Sequence, residues 1–565
     1  MAFLKTRHFF SQHSVLLLGI LFFVVVGVVY FPALFAGFLS DDYDFVYNTM
    51  RQSGVWHYFS TNYLGSRQGG AYAPFLNLWY TVAVFFFGRH PFPYHLLSVI
   101  LHLAVSSTVF ALFFVLTKKK EPSFFAALLF GVLPAHSEAV SWIAAVPHLL
   151  GTLGYMVGIM CYFLFFQSGK KRYYIFSLLS IIFSLLVKEI AITFLAVFFL
   201  IEAIFRQWTV NTFFVQCKNI LLRFLAPLGI IGAYLAVRQY ATGVLFGYYG
   251  QAELSFDLLQ YGRQGIALAL SLFLDFPLRG RLYAIFMDHI LFVLPIAACI
   301  LFVLFFFCFV RKKCAWRGFV FLGFSYILVS LPFLNLLLNP RNNEGERYTY
   351  LPSVFAVSVF VLFCTVLFEK ISKHGRVIGR IVFSVLAILG GYILFQKNIV
   401  WKRAGEMAAG ITSQYQALGI EENDAVFFVG LPDSLGGAQV FRNAIREAIA
   451  INAGRERPKG ERIPMYTFFP EESSPGEYVA ARQCDPHAIV LSPKENSQER
   501  MFTGFPTYAN EFLTAALHEF QKSNHTGTSI SVIFSEDAVQ AFQKTGNHIF
   551  LVYYTGEQLM AFRIE

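Results

Sequence analysis

Residues 94–120 read YHLLSVILHLAVSSTVFALFFVLTKKK. The part before the lysines holds no Asp, Glu, Lys or Arg. As a helix rising about 1.5 Å per residue, it is long enough to cross roughly 30 Å of hydrocarbon. Lys118, Lys119 and Lys120 close it, and a basic cluster at the end of an apolar run reads as its cytoplasmic side. The rest of the chain repeats this pattern. Of 565 residues, 56% are hydrophobic and 14% charged, and Phe alone accounts for 67. A charged fraction so far below the roughly 25% of soluble domains predicts a polytopic α-helical membrane protein. The net charge of +10 resides in short basic loops between the runs, where it sets topology. No nucleic-acid partner is expected; membrane lipid is.

The basic loops thread about eleven spans. The first, 14–36, reads as a retained span rather than a cleaved signal peptide, because its apolar run is long and lacks a small-residue cleavage site. Residues 37–92 form an external loop in which 73–88 is expected to lie along the interface. Spans follow at 94–117 and 122–134, then an external turn at 134–148 and a fourth span ending at Lys170-Lys171-Arg172. Spans 173–187 and 190–205 meet outside at Lys188-Glu189, and 220–240 comes next. A second external segment, 241–284, carries the short apolar helix QGIALALSLFLDF. Spans 286–310, 318–338, one ending near Lys370, and 377–396 complete the set, with an external loop at 339–352. This threading puts every dense basic cluster on one side. The acidic segment after span one, Lys188-Glu189 and the loop with Arg341 and Arg347 fall on the other.

From about residue 400 the charge rises and the apolar runs shorten. The chain therefore divides into a membrane domain, 1–399, and an external α/β domain, 400–565. DAVFFVGLPD, HAIVLSP, SISVIFS and HIFLVYYTG read as strands; FRNAIREAIAINA and ANEFLTAALHEFQ read as helices. The domain has no Walker loop, no GxGxxG and no tetratricopeptide period. Six cysteines sit in or beside apolar runs and only Cys484 lies in this part, so no disulfide framework or metal-spaced pair is visible. Asn524-His525-Thr526 matches the short glycosylation acceptor pattern.

The chemistry-bearing residues lie at span ends. Asp41, Asp42 and Asp44 fall within four positions. They can serve as a general base or as divalent-cation ligands, since one carboxylate can orient or perturb another; an N-cap or turn would use the same residues. His136 and Glu138 stand in the second external turn, with Glu138 a second acid or an acceptor-orienting group. Lys188 and Glu189 interrupt LLSIIFSLLVKEIAITFLAVFFL, either as an interfacial hairpin with a snorkelling Lys or as a phosphate-facing Lys. Arg341 and Arg347, beside Tyr348, suit phosphate through the planar guanidinium fork or belong to an interfacial Arg/Tyr belt.

Five ordered blocks resemble a known family: LSDDYDF, YHLLSVILHLAVSSTVFALF, AALLFGVLPAHSEAVSWIAAVPHLL, SLLVKEIAITFLAVFFLIEAI and GERYTYLPS. Together they cover most of 38–360 and resemble the GT-C superfamily of polyprenyl-phosphate-sugar-dependent glycosyltransferases, in its protein O-mannosyltransferase and TMTC-type branch. The resemblance implies inverting transfer of a sugar, by a hexosyltransferase such as a mannosyltransferase, from a polyprenyl-phosphate-linked donor on the external leaflet. It further implies that Asp41 or Asp42 is the catalytic base, that Lys188 and Arg347 hold the carrier phosphate, and that Glu138 lies beside the acceptor. Asp44, His136, Glu189, Arg341 and Tyr348 are the accompanying substrate-binding candidates. The family divides over metal dependence, so a divalent cation is compatible and none is assigned. TMTC-type proteins carry tetratricopeptide repeats after the membrane part, and 400–565 departs from this; the acceptor, a protein, glycan or lipid hydroxyl, is left open. The expected site is a bacterial inner membrane with the C-terminal domain in the periplasm, the alternative being the endoplasmic reticulum. A transporter or flippase for a lipid-linked or anionic substrate, and a non-catalytic assembly partner, are the competing functions.

Overall fold

The structure, a computed structural model, describes residues 17–52, 54–67, 70–245, 258–275, 278–289, 313–334, 344–469, 476–494, 502–521 and 526–565. Most of the expected span at 286–310 and Arg341 lie outside them, as does most of the glycosylation pattern. Among the described residues six helices are long and apolar enough to cross a membrane, or seven when a bent pair counts as one span. The chain is an integral membrane protein, and the described residues do not confirm a count of about eleven. One reason is visible at 173–205. The helices there, Lys171–Val187 and Phe194–Phe205, fall short of a full crossing and are joined through a 3-10 turn at Glu189–Thr193.

The helices that shape the site are α1 (Leu17–Tyr30), α2 (Asp41–Arg51), α3 (Pro74–Phe87), α4 (Pro91–Thr117) and α5 (Lys120–Gly131). They are followed by α6 (Ser137–Ser141), α7 (Val146–Ser168), α8 (Lys171–Val187), α9 (Phe194–Phe205) and α10 (Phe213–Thr242). Two long helices close the bundle, α11 (Tyr350–Ile371) and α12 (Gly375–Ala417). The stretch 94–117 is the body of α4, which Pro91 opens and Lys118, in the left-handed conformation at φ 57°, terminates. Pro134 has no N–H to continue the α5 ladder and starts a new turn instead, so the chain bends by 52° between Lys120–Gly131 and Pro134–Ser141. The expected external turn at 134–148 is therefore folded back into the bundle: His136, Ser137, Glu138 and Ser141 are all buried.

The α12 helix runs unbroken for 43 residues through the expected boundary at 399/400. Its approach to the turn at Pro32–Phe35 depends on Gly405, where an added Cβ would lie 1.4 Å from the Ala36 carbonyl oxygen. Gly405→Ala should lower the melting temperature of the detergent-solubilised protein by the equivalent of about 1–3 kcal/mol, the range of overpacked cores. Gly410→Ala on the same helix, where a Cβ meets nothing within 4 Å, should be neutral or stabilise by up to about 1 kcal/mol.

Beyond α12, three sheets build the C-terminal domain. In the first, Ala425–Val429 runs parallel to both Ile549–Tyr554 and Lys459–Arg462, with Leu559–Ile564 antiparallel at the edge. Its fully buried AVFFV core segment explains why it reads as a continuous apolar run. The second sheet is antiparallel and includes Leu513–His518 between Ser529–Phe534 and Thr507–Ala509. That strand corrects the expected helix ANEFLTAALHEFQ. Leu513, Ala515 and Leu517 are buried and alternate with Thr514, Ala516 and His518, so period-2 burial against the neighbouring strands overrides the helical propensity of Ala and Leu. The third sheet carries Leu431–Leu435, and α13 (Ile445–Ala453) follows it, matching the amphipathic reading of FRNAIREAIAINA.

Candidate functional site

The acidic segment opens α2. Asp42 is fully buried and both its carboxylate oxygens are taken: Oδ2 accepts the Leu39 N–H at 3.0 Å and Oδ1 the Ala144 N–H at 2.7 Å. Burial pushes this carboxyl well above the usual carboxylate range while the two backbone N–H groups pull the other way. Asp42 thus acts as a clasp between the start of α2 and the turn 142–146. Asp41, one position earlier, is partly exposed. One of its oxygens, Oδ1, accepts Asn443 Nδ2 at 2.7 Å; the other has no hydrogen-bond partner among the described residues. Asp44 accepts from Asn48 at 2.7 Å and is pushed up to about 6 by burial, with Glu447 and Asp41 adding repulsion.

The backbone around Asp41 is strained on both sides. Ser40 has φ 46° and Ala444 φ 63°, conformations that non-glycine residues rarely adopt. Non-glycine residues at positive φ cost free energy and cluster at functional sites. The two strained residues are tied together. Ser40 N donates to the Val440 carbonyl at 3.0 Å, and the Ser40 hydroxyl accepts Asn443 N–H at 3.2 Å.

The cationic half is built on the turns before α7 and α11 and after α8. Arg347 donates its backbone N–H to Glu138 Oε2 at 2.8 Å and its guanidinium to Glu138 Oε1, so the nearly fully buried Glu138 is held on both oxygens. The guanidinium lies over the Trp142 ring, 5.2 Å from its centroid, and also donates to the Tyr348 hydroxyl at 3.0 Å. The Tyr348 ring meets His148 edge-on at 5.7 Å. Lys188 Nζ and His148 Nε2 are hydrogen-bonded at 3.0 Å, the charged ammonium donating to that nitrogen. Lys188 sits in the break between α8 and the 3-10 turn, outside the crossing helices. Burial pushes its ammonium down to about 7, with the Arg347 charge acting in the same direction.

Trp142 joins the two halves. Its indole N–H donates to the Leu39 carbonyl at 3.4 Å, two residues before Asp41, while its ring lies under Arg347. The same short turn gives Ala144 to Asp42 and His148 to Lys188. The C-terminal domain clamps both halves with adjacent residues: Asn443 reaches Asp41, and Arg442 pairs with Glu344, three residues before Arg347, as well as with Asp433 at 2.5 Å. The Phe441 ring stacks on Tyr43, centroids 6.3 Å apart.

Of the sequence candidates, Glu138, Lys188, Arg347 and Tyr348 come together around Trp142 and His148, while Asp42 reaches the same segment through Ala144 and Asp41 is held by Asn443. Asp44 faces Glu447 of α13 and belongs to the domain interface. His136 does not reach the site. Its Nε2 meets the Ser353 hydroxyl at 2.8 Å, and its ring packs with Phe130, Tyr350 and His102, because the Pro134 bend folds it into the bundle. Glu189 turns away to pair with Arg238 on α10. Trp142, Arg442 and Asn443 escape sequence reasoning altogether; His148 is visible in the sequence beyond the second external turn, beside Pro147, but without a role. Also missed is a buried network in which Glu346 holds Arg279 at 2.7 Å and Lys397 at 2.5 Å, although Lys397 interrupts an apolar run. Among the described residues no group of three or more His, Cys, Asp or Glu is arranged to hold a metal ion.

The chain is 30% identical over 149 residues to the protein O-mannosyl-transferase TMTC3 of Mus musculus and 29% identical over 153 residues to that of Homo sapiens. It is 26% identical over 174 residues to the protein O-mannosyl-transferase Tmtc1 of Drosophila melanogaster. The likeness covers 24%, 25% and 29% of this chain and only 16%, 16% and 20% of those relatives. The expected resemblance to membrane O-mannosyltransferases is thus shown in sequence, over a part of each protein. An oligosaccharyltransferase of Archaeoglobus fulgidus aligns over 77% of this chain and 62% of its own, at 13% identity and a TM-score of 0.40. No family model matches the chain.

Proposed function

We propose that the protein is a membrane glycosyltransferase that moves a sugar from a polyprenyl-phosphate carrier to an acceptor hydroxyl, with inversion and with Asp41 as the base. The observation that carries the reading is the bridge through Trp142. One side chain touches both the segment that opens onto Asp41 and the guanidinium of Arg347, which supports reading the carboxylate and the cations as parts of one site. In the reaction, Asp41 takes the acceptor O–H proton and the oxygen bonds to the anomeric carbon. The bond from that carbon to the phosphate oxygen breaks, and polyprenyl phosphate leaves with the bonding pair. Lys188 and Arg347 stabilise its charge in a water-poor setting, where such stabilisation counts most. Glu138 holds Arg347 in place and is a positioning residue. The named relatives suggest a protein hydroxyl as acceptor and mannose as the sugar. The reading keeps the C-terminal domain on the periplasmic side of a bacterial inner membrane.

The test is direct. Membranes containing the overproduced chain are incubated with polyprenyl-phospho-[3H]mannose, and polyprenyl phosphate release and label in protein are measured. Both should appear with the wild-type chain and be lost with Asp41→Asn; release that is absent from the wild type with mannose and glucose donors alike overturns the reading.

The Lys188 ammonium gives a pH signature. Below about 7 the free-enzyme Lys188 is charged and attracts phosphate; above it the amine is neutral and does not. Donor affinity should therefore fall as pH rises through 7, the apparent KM for donor climbing by up to about tenfold per pH unit. Lys188→Arg, charged throughout, should flatten the profile.

A further inference from the structure

The other end of the bundle carries a concave feature that the proposed transfer reaction does not use. A cavity of about 300 Å³ lies where α5 starts, α11 ends and α12 begins. The α11 helix spans about 33 Å at about 1.5 Å per residue, so this cavity is roughly one bilayer thickness from Arg347. Two ion pairs bracket it: Lys119 with Glu369 at 2.6 Å, and Arg380 with Glu121 through two bonds of 2.5 and 2.9 Å. Each carboxylate therefore already has its cation. Lys120 and Arg376 also line the cavity and form no ion pair among the described residues. The lining holds four cations, Lys119, Lys120, Arg376 and Arg380, against two carboxylates, a surplus of two positive charges. Its floor is apolar, with Phe125 and Phe383 in contact at 5.4 Å between ring centroids. Thr365 adds a buried hydroxyl oxygen with no hydrogen-bond partner among the described residues.

We propose that this cavity binds the headgroup of an anionic glycerophospholipid of that leaflet, its phosphate between Lys120 and Arg376 and its glycerol and first acyl methylenes against Phe125 and Phe383. The two clasping pairs explain the geometry. They neutralise the two carboxylates and leave Lys120 and Arg376 for a ligand. The apolar floor favours a phosphate that carries a hydrocarbon chain over a free ion, and a basic pocket between helices at the membrane surface is a setting in which lipid headgroups are recognised. The lipid would pin α5, α11 and α12 together at the end opposite the charged cluster, and the site stands whether or not the transfer reading does.

The full-length protein, purified in detergent, is titrated with phosphatidylglycerol, phosphatidylcholine and inorganic phosphate, and bound species are counted by native mass spectrometry. Phosphatidylglycerol should be retained in preference to phosphatidylcholine, and Lys120→Ala/Arg376→Ala should weaken its binding about thirtyfold, at the attraction typical of two surface cations. Both side chains are exposed, and an unchanged melting temperature in the absence of added lipid verifies that the double variant is folded. Lys170→Ala/Lys171→Ala, in a different basic loop, should leave binding intact. Equal retention of the two lipids, full retention by the Lys120/Arg376 variant, or displacement by millimolar inorganic phosphate would each overturn the proposal, the last by making a free anion the ligand.

Discussion

Asp41→Asn should abolish sugar transfer, by about 10²–10⁴-fold in kcat, in a protein that melts at the wild-type temperature. The carboxylate is partly exposed, and Asn443 can still donate to the amide oxygen that replaces Oδ1. Asp42→Asn should show the reverse signature. Two buried backbone N–H groups converge on its two oxygens, and an amide supplies one acceptor and one donor. One N–H is then left facing another, at a cost of about 1–3 kcal/mol. The melting temperature should fall, and activity should decline as the turn carrying Trp142 and Ala144 loosens. Measuring kcat and thermal stability for both variants separates the base from the clasp; equal loss of kcat in both at unchanged stability would contradict the assignment.

Arg347→Ala should be the most damaging single change in the cationic half. It removes the charge proposed to hold the carrier phosphate and leaves Glu138, nearly fully buried, without its guanidinium partner. Stranding one member of a buried ion pair costs about 3–5 kcal/mol. The double variant Arg347→Ala/Glu138→Gln removes the stranded charge and should recover most of that stability. Its activity should stay at the Arg347→Ala level, because the leaving phosphate still lacks its cation. A double variant that regains transfer would show Arg347 to be purely structural. Thermal melts and transfer assays on the four members of the cycle decide the matter.

What the chain discloses in one dimension is the sidedness of its charges. Lysine clusters end α4 and begin α8, whereas Asp41, Lys188 and Arg347 all sit at the opposite ends of helices, and a charge in an apolar run is visible without coordinates. The shape between those points is less visible. The Pro134 bend turns an expected outer loop inward and carries His136 into the core, because a proline announces a break but not its direction. ANEFLTAALHEFQ has the composition of a helix and the burial alternation of a strand, and only its neighbours decide between them. The choice between Asp41 and Asp42 rests on which carboxylate oxygens the backbone occupies, a fact of tertiary structure. Arg442 and Asn443 were invisible as site residues for a related reason: they act across about 100 and 402 positions of sequence.

That last separation has a consequence in time. Asp41 emerges from the ribosome early, and the Asn443 that fixes it emerges 402 residues later, which at about 5–20 residues per second is a delay of roughly 20–80 s. Throughout that interval the inserted helices lack the partner that orients their carboxylate. If Asp41 is the base, as proposed, the nascent protein would be catalytically silent while its own loops, and those of neighbouring chains, are still unfolded and rich in accessible hydroxyls, and completion of the C-terminal domain would arm it.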